Sequence, residues 1–282
     1  MIVLIRTEFT KAAMRIRTLV IAALLVGLPT LIVVAINARG DRPRHGDGEG
    51  LFRLASQSGL LVPAAVLSVT SGFLLIIIAG TLAGDSVASD SSWGNLRYLL
   101  MRPVPRGRLL LAKAFVAGAL IWAATILVAL AALVSGLIMF GAHAVVVPGL
   151  NIVGGGANIG GGFELSTGAL LLRVVIATGY VAFGFTALLA LGTLFSTLTD
   201  TAASAIGATI GVYLVSEILD SISQLGVVRY GFPTHYLGAW ETMFTQNTYS
   251  RDMFTGIIVQ LVYLVVFGAV ATVYFKRRDI RS

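Results

Sequence analysis

The chain of 282 residues contains no cysteine, which excludes disulfide frameworks, thiolate zinc sites and cysteine nucleophiles. It has only three histidines, His45, His143 and His235, and all of them fall outside the long apolar runs. Charge is scarce too, at 12% of residues where an ordinary soluble domain carries about 25%. No Gly-Lys-Ser/Thr sequence occurs, so nucleotide binding through a Walker A loop is excluded. What is abundant is apolar surface: 57% of residues are hydrophobic against roughly 45–50% in soluble domains. A compact chain of this length already buries about three quarters of its unfolded surface, so the excess requires a second apolar solvent, the bilayer. These numbers define an integral membrane protein.

A spanning helix needs about 20 apolar residues, and a central charge costs roughly 2.5–3.5 kcal/mol on insertion scales. Uncharged stretches therefore place six spans, at about 19–36, 59–82, 115–140, 172–194, 202–218 and 254–275. They form one all-α membrane domain over 1–282. Pro29 predicts a kink in the first span, which lacks a clean cleavage site and reads as a retained helix rather than a signal peptide.

The net charge of +7 is not a nucleic-acid stripe, because the basic residues cluster between apolar runs. With the N-terminus inside, 13 of the 20 Lys and Arg fall on cytoplasmic segments, while eight of the 13 acidic residues fall outside. By the positive-inside rule both termini are cytoplasmic.

Residues 1–17 place Ile2, Ile5, Phe9, Ala13 and Ile16 on one helical face and Arg6, Glu8, Lys11 and Arg15 on the other. Such a helix lies in the headgroup plane, as a topology anchor or as a mechanical elbow. Between the second and third spans, Asp85 and nearby serines offer N-caps, and Trp93, Leu96 and Leu100 share a helical face. Pro103 and Pro105 then stop that helix and stiffen the re-entry. A short cytoplasmic helix held between two spans is the expected result, and it reads as a docking surface. Gly154-Gly155-Gly156 and Gly160-Gly161-Gly162 have no phosphate-loop spacing and predict a flexible outer loop. The outer connection 219–253 is rich in Tyr and Trp and fits short re-entrant or interfacial helices, one of them starting at Pro233, or else a folded outer cap.

The stretch from Asp90 through Trp93-Gly94-Asn95-Leu96-Arg97-Tyr98-Leu99-Leu100 and Arg102-Pro103-Val104-Pro105-Arg106 to Lys113 resembles the cytoplasmic motif of type-2 ATP-binding-cassette permeases. Asn95 stands at that motif's usual Thr and Asp90 at its usual Glu. The ending Phe275-Lys276-Arg277-Arg278-Asp279 and the order of parts along the whole chain are similar as well. The resemblance implies that the segment after the second span is a coupling helix docked on a separate ATPase subunit. Two ATPase subunits, which bind ATP and Mg, would serve a pair of permeases in the plasma membrane, the second being another copy or a homologue. The implied ATPase contacts are Asp85, Asp90, Trp93 and Arg97, with Asp200 in the turn Ser196–Thr201 as a second one. The turn reads equally as a helix end followed by an Asp200 N-cap. The implied activity is non-enzymatic: by family precedent a permease of the exporting kind, with no cofactor of its own.

Within the spans, Ala203, Gly207 and Gly211 recur every four residues and give the fifth helix a smooth packing face, toward its own subunit or a partner. Glu217, near the outer end of that helix, is a candidate for the substrate path. Alternatives are a secondary transporter, which usually needs ionisable groups at the midplane, and a membrane scaffold. Intramembrane hydrolysis lacks its histidine, carboxylate pair or metal cluster within a span.

Overall fold

A computed structural model describes residues 2–14, 16–39, 49–92, 105–147, 150–153, 156–159, 163–245 and 250–277. Among these, ten helices carry the architecture: α1 (Ile2–Ala13), α2 (Ile16–Arg39), α3 (Glu49–Ala55), α4 (Val62–Gly72), α5 (Leu74–Ser92), α6 (Arg106–Phe140), α7 (Thr167–Gly184), α8 (Thr186–Leu198), α9 (Ala202–Ser221) and α10 (Arg251–Arg277). Five apolar stretches are long enough to cross a membrane, namely α2, α6, the joined α7–α8, α9 and α10. The pair α4–α5, bent by 56°, makes a sixth if it is taken as one span. The chain is a multi-pass membrane protein.

The second and fourth expected spans are each two helices. The first of these breaks falls at Phe73 and the other at Phe185, where φ/ψ of −83° and 3° ends α7 and begins α8. No proline marks either break. The α7–α8 pair is the centre of the bundle, with 72% of its most apolar window buried against 17% for α10. Around it α10 and α5 pack on α8, α9 on α5, and α6 on α2, α5 and α7.

Two boundaries depart from the sequence expectation. Helix α5 runs on to Ser92, so Asp85 lies inside a helix and caps nothing. At the other side of the connection α6 begins at Arg106, because Pro105 with ψ 131° sits at its N-cap and starts the helix before the apolar run does. Pro29 stays inside α2. Around the two glycine triplets, of which Gly154, Gly155, Gly160, Gly161 and Gly162 lie outside the described residues, Val145–Val147 pairs antiparallel with Phe163–Leu165, and Leu150–Val153 with Gly156–Ile159. Short runs of Val, Ile and Leu favour strands even with glycines around them.

Close helix approach occurs on different small residues from those expected. A Cβ at Gly84 would stand 2.9 Å from the Ile206 backbone, and one at Gly192 would stand 2.5 Å from Ala83 Cβ. These glycines let α5, α8 and α9 meet almost backbone to backbone. Gly207 and Gly211 would meet nothing within 4 Å, and Ala203 is exposed, so the expected packing face of α9 points out of the bundle. Gly84→Ala should therefore destabilise the protein by about 1–3 kcal/mol through overpacking, whereas Gly207→Ala should be neutral. Thermal unfolding of the two variants in detergent micelles distinguishes them.

Candidate functional site

The ends of α1, α5, α6, α8, α9 and α10 gather at one end of the bundle, and the charges there do not simply face water. Asp85 is 5% exposed and accepts a hydrogen bond from the guanidinium of Arg17 at the start of α2. Asp90 lies five residues later on α5 and accepts from Lys113 of α6, whose side chain is 4% exposed. Lys113 Nζ also donates to Glu8 Oε2 of α1 at 2.9 Å. Glu8 is shared in turn with Lys11 at 3.5 Å. Three carboxylates and three cations thus balance, and they tie α1 and α2 to both helices that flank residues 93–104.

A second tie joins this end to the centre. Ser196, fully buried on α8, accepts hydrogen bonds from the backbone N–H groups of both Val87 and Ala88 at 2.8 Å. One hydroxyl therefore pins α5 to α8 one turn below Asp90. The first turn of α6 meets the last turn of α10, where Arg106 donates to the Lys276 carbonyl at 3.4 Å. A small cleft opens beside Lys113 between α1, α2, α5 and α6, with Glu8, Arg17, Asp85 and Ser86 on its polar wall and Leu82 and Leu120 on its apolar one.

The residues singled out from sequence separate into groups. Asp85 and Asp90 are brought together, but turned inward onto cations rather than outward as docking residues. Trp93 and Arg97 lie outside the described residues. Asp200 is exposed in the turn before α9, whose N-cap is Thr201, so the alternative of an Asp200 cap is corrected. Glu217 stands on α9 far from this end, with one buried carboxylate oxygen that has no hydrogen-bond partner among the described residues.

At the opposite end, the connection after α9 does not stay outside the helices. Residues 223–231 form a 3-10 helix kinked at Gly226, where φ is +53°, and 239–241 form a second one. Pro233 lies in the turns between them and starts no helix. Tyr180 of α7 donates its hydroxyl to the Tyr236 carbonyl at 2.7 Å, and Gln260 of α10 donates to the Pro233 carbonyl at 2.7 Å. Tyr263, twelve residues into α10, reaches the Gly231 carbonyl at 2.8 Å. At 1.5 Å per residue that is about 18 Å along the helix, so the connection folds back to near the middle of α10. Close packing permits this: a Cβ at Gly256 would stand 2.3 Å from the Tyr180 hydroxyl. Beyond it, burial pushes the Glu241 carboxyl above the usual carboxylate range.

Gln260 was not singled out from the sequence. Its carboxamide oxygen accepts from Ala187 N–H at 3.3 Å, a donor freed by the α7–α8 break. It is the only amide side chain in the apolar run 254–275, which was the available signal.

The sequence profile of a family described as a protein of unknown function, DUF2705, matches residues 51–281, and the chain belongs to that family. No curated protein matches the chain.

Removing one member of a buried ionic group leaves the others uncompensated, at a cost of about 3–5 kcal/mol. Lys113→Met should lower stability on that scale. Lys11→Ala, at an exposed pair, should change it by less than about 1 kcal/mol. Thermal unfolding in micelles checks both.

Proposed function

We propose that this DUF2705 chain is the membrane-spanning permease subunit of an ATP-driven exporter. The α1 end faces the cytoplasm of a plasma membrane, in keeping with its excess of Lys and Arg. ATP and Mg belong to two partner ATPase subunits, since this sequence holds no Walker A loop. A second permease, either a copy or a homologue, completes the complex, and the outward face of α9 with Ala203, Gly207 and Gly211 is suited to a close helix contact with it.

The observation that carries this reading is the ionic joint around Lys113. It binds α5 to α6 and both to α1, so a load on residues 93–104 acts on two membrane helices and on the elbow together. Ser196 passes displacement of α5 to the buried α8. Closure of the ATPase pair against the coupling segment would thereby shift the bundle between two arrangements, a population shift driven by ATP binding in trans. Asp85 and Asp90 act as the anchors of the segment, and the contact with the ATPase falls to Trp93 and Arg97, with Asp200 as the second contact. The connection 223–245 serves as a re-entrant outer element.

Trp93→Ala combined with Arg97→Glu should release the ATPase while the permease still inserts and melts at the wild-type temperature. Affinity purification of the tagged permease with its ATPase subunit measures this. Equal ATPase recovery from both proteins would defeat the docking assignment.

A further inference from the structure

The outer half of α9 carries a polar face that the coupling scheme does not use. Tyr213, Ser216, Glu217 and Asp220 stand at i, i+3, i+4 and i+7 and share one side of the helix. Ser216 and Thr234 hydrogen bond at 2.9 Å. Asp220 is occupied as well, by His235 Nδ1 at 2.6 Å and by Arg229 Nε at 3.6 Å. At that distance Arg229 Nε pairs with Asp220 by charge alone and makes no hydrogen bond, and two further groups, both on α9, are left over. The Tyr213 hydroxyl, on a side chain 2% exposed, and Glu217 Oε2 are buried and have no partner among the described residues.

Orphaned buried polar atoms are rare in folded proteins, and two of them one helical turn apart call for a shared occupant. No charge from the neighbouring helices supplies it. The charged residues of α5 are Asp85 and Asp90, at the far end of the bundle, and α8 has none. Arg229, on the 3-10 turn packed against α9, is directed to Asp220. Of the two carboxylates on this face, Glu217 alone keeps an uncompensated oxygen. A metal ion is a poor fit, since no group of three His, Asp or Glu among the described residues could hold one. An N–H-bearing cation suits the available chemistry: a charged donor for Glu217 Oε2, a hydroxyl acceptor on Tyr213, and a tyrosine ring beside the charge.

We infer that Tyr213 and Glu217 form a binding site for the ammonium group of a primary amine. The inference deepens the transport reading by naming a cargo class for the path at Glu217, and it rests on that reading only for its purpose. Binding itself needs no ATPase.

The test uses the purified full chain in lipid nanodiscs at pH 8, titrated calorimetrically with benzylammonium and, separately, with benzyltrimethylammonium, which has no N–H. Saturable benzylammonium binding is expected, at least tenfold tighter than that of the trimethyl compound. Glu217→Gln should weaken it tenfold or more, and Tyr213→Phe severalfold. Unchanged melting temperatures and monodisperse elution of the variants confirm that they fold. Absence of saturable binding to the wild-type chain, as a simply protonated Glu217 would give, overturns the site. Equal affinity of the wild-type chain and both variants overturns it also. Neither failure touches recovery of the ATPase with the permease, which depends on the opposite end of the bundle.

Discussion

Burying charge at the end of an apolar bundle is expensive, and the arrangement around Lys113 follows from that constraint. A lone ammonium or carboxylate there would cost several kcal/mol after relaxation. Each group must therefore find an opposite charge on another helix. Because Glu8 and Asp90 both lie on Lys113, the N-terminal helix cannot be placed independently of the broken α4–α5 pair, and Arg17 with Asp85 repeats the restriction one helix further on. Electrostatics adds little net energy in such an assembly. What it supplies is register, since only one mutual placement of α1, α2, α5 and α6 leaves no charge alone.

The membrane helices were legible in the sequence because the bilayer penalises charge strongly enough to leave long uncharged stretches, and the six predicted stretches are helical except at residues 59–61 and at the two breaks. Their internal breaks were not legible. Breaks at Phe73 and Phe185 have no proline beside them, and hydropathy is blind to a change of direction within an apolar run. The inward direction of Asp85 and Asp90 was equally hidden. Their partners lie 68 and 23 positions away, and a charge next to the end of a span looks the same in sequence whether it faces water or a buried cation.

Small residues show the same ambiguity in a different form. The spacing Ala203, Gly207, Gly211 and the spacing Gly80, Gly84 both offer a groove on a helix. Only the second is filled within the chain, by Ile210 and the backbone of Ile206. Spacing reports that close approach is permitted, and the identity of the neighbour is a tertiary fact. Gln260 is the opposite case: one amide in a long apolar run is conspicuous, but its role depends on Ala187, 73 positions earlier and next to a helix break.

That amide ties together two parts of the fold that are far apart in the chain. Its oxygen and its nitrogen are committed to different parts of the chain, one to the interrupted central helix and the other to the folded-back connection. A slide of either part would strip a hydrogen bond from this buried side chain. Gln260 thus behaves like a shared rivet, so that loosening the folded-back connection also frees one of the hinges holding the interrupted helix in place.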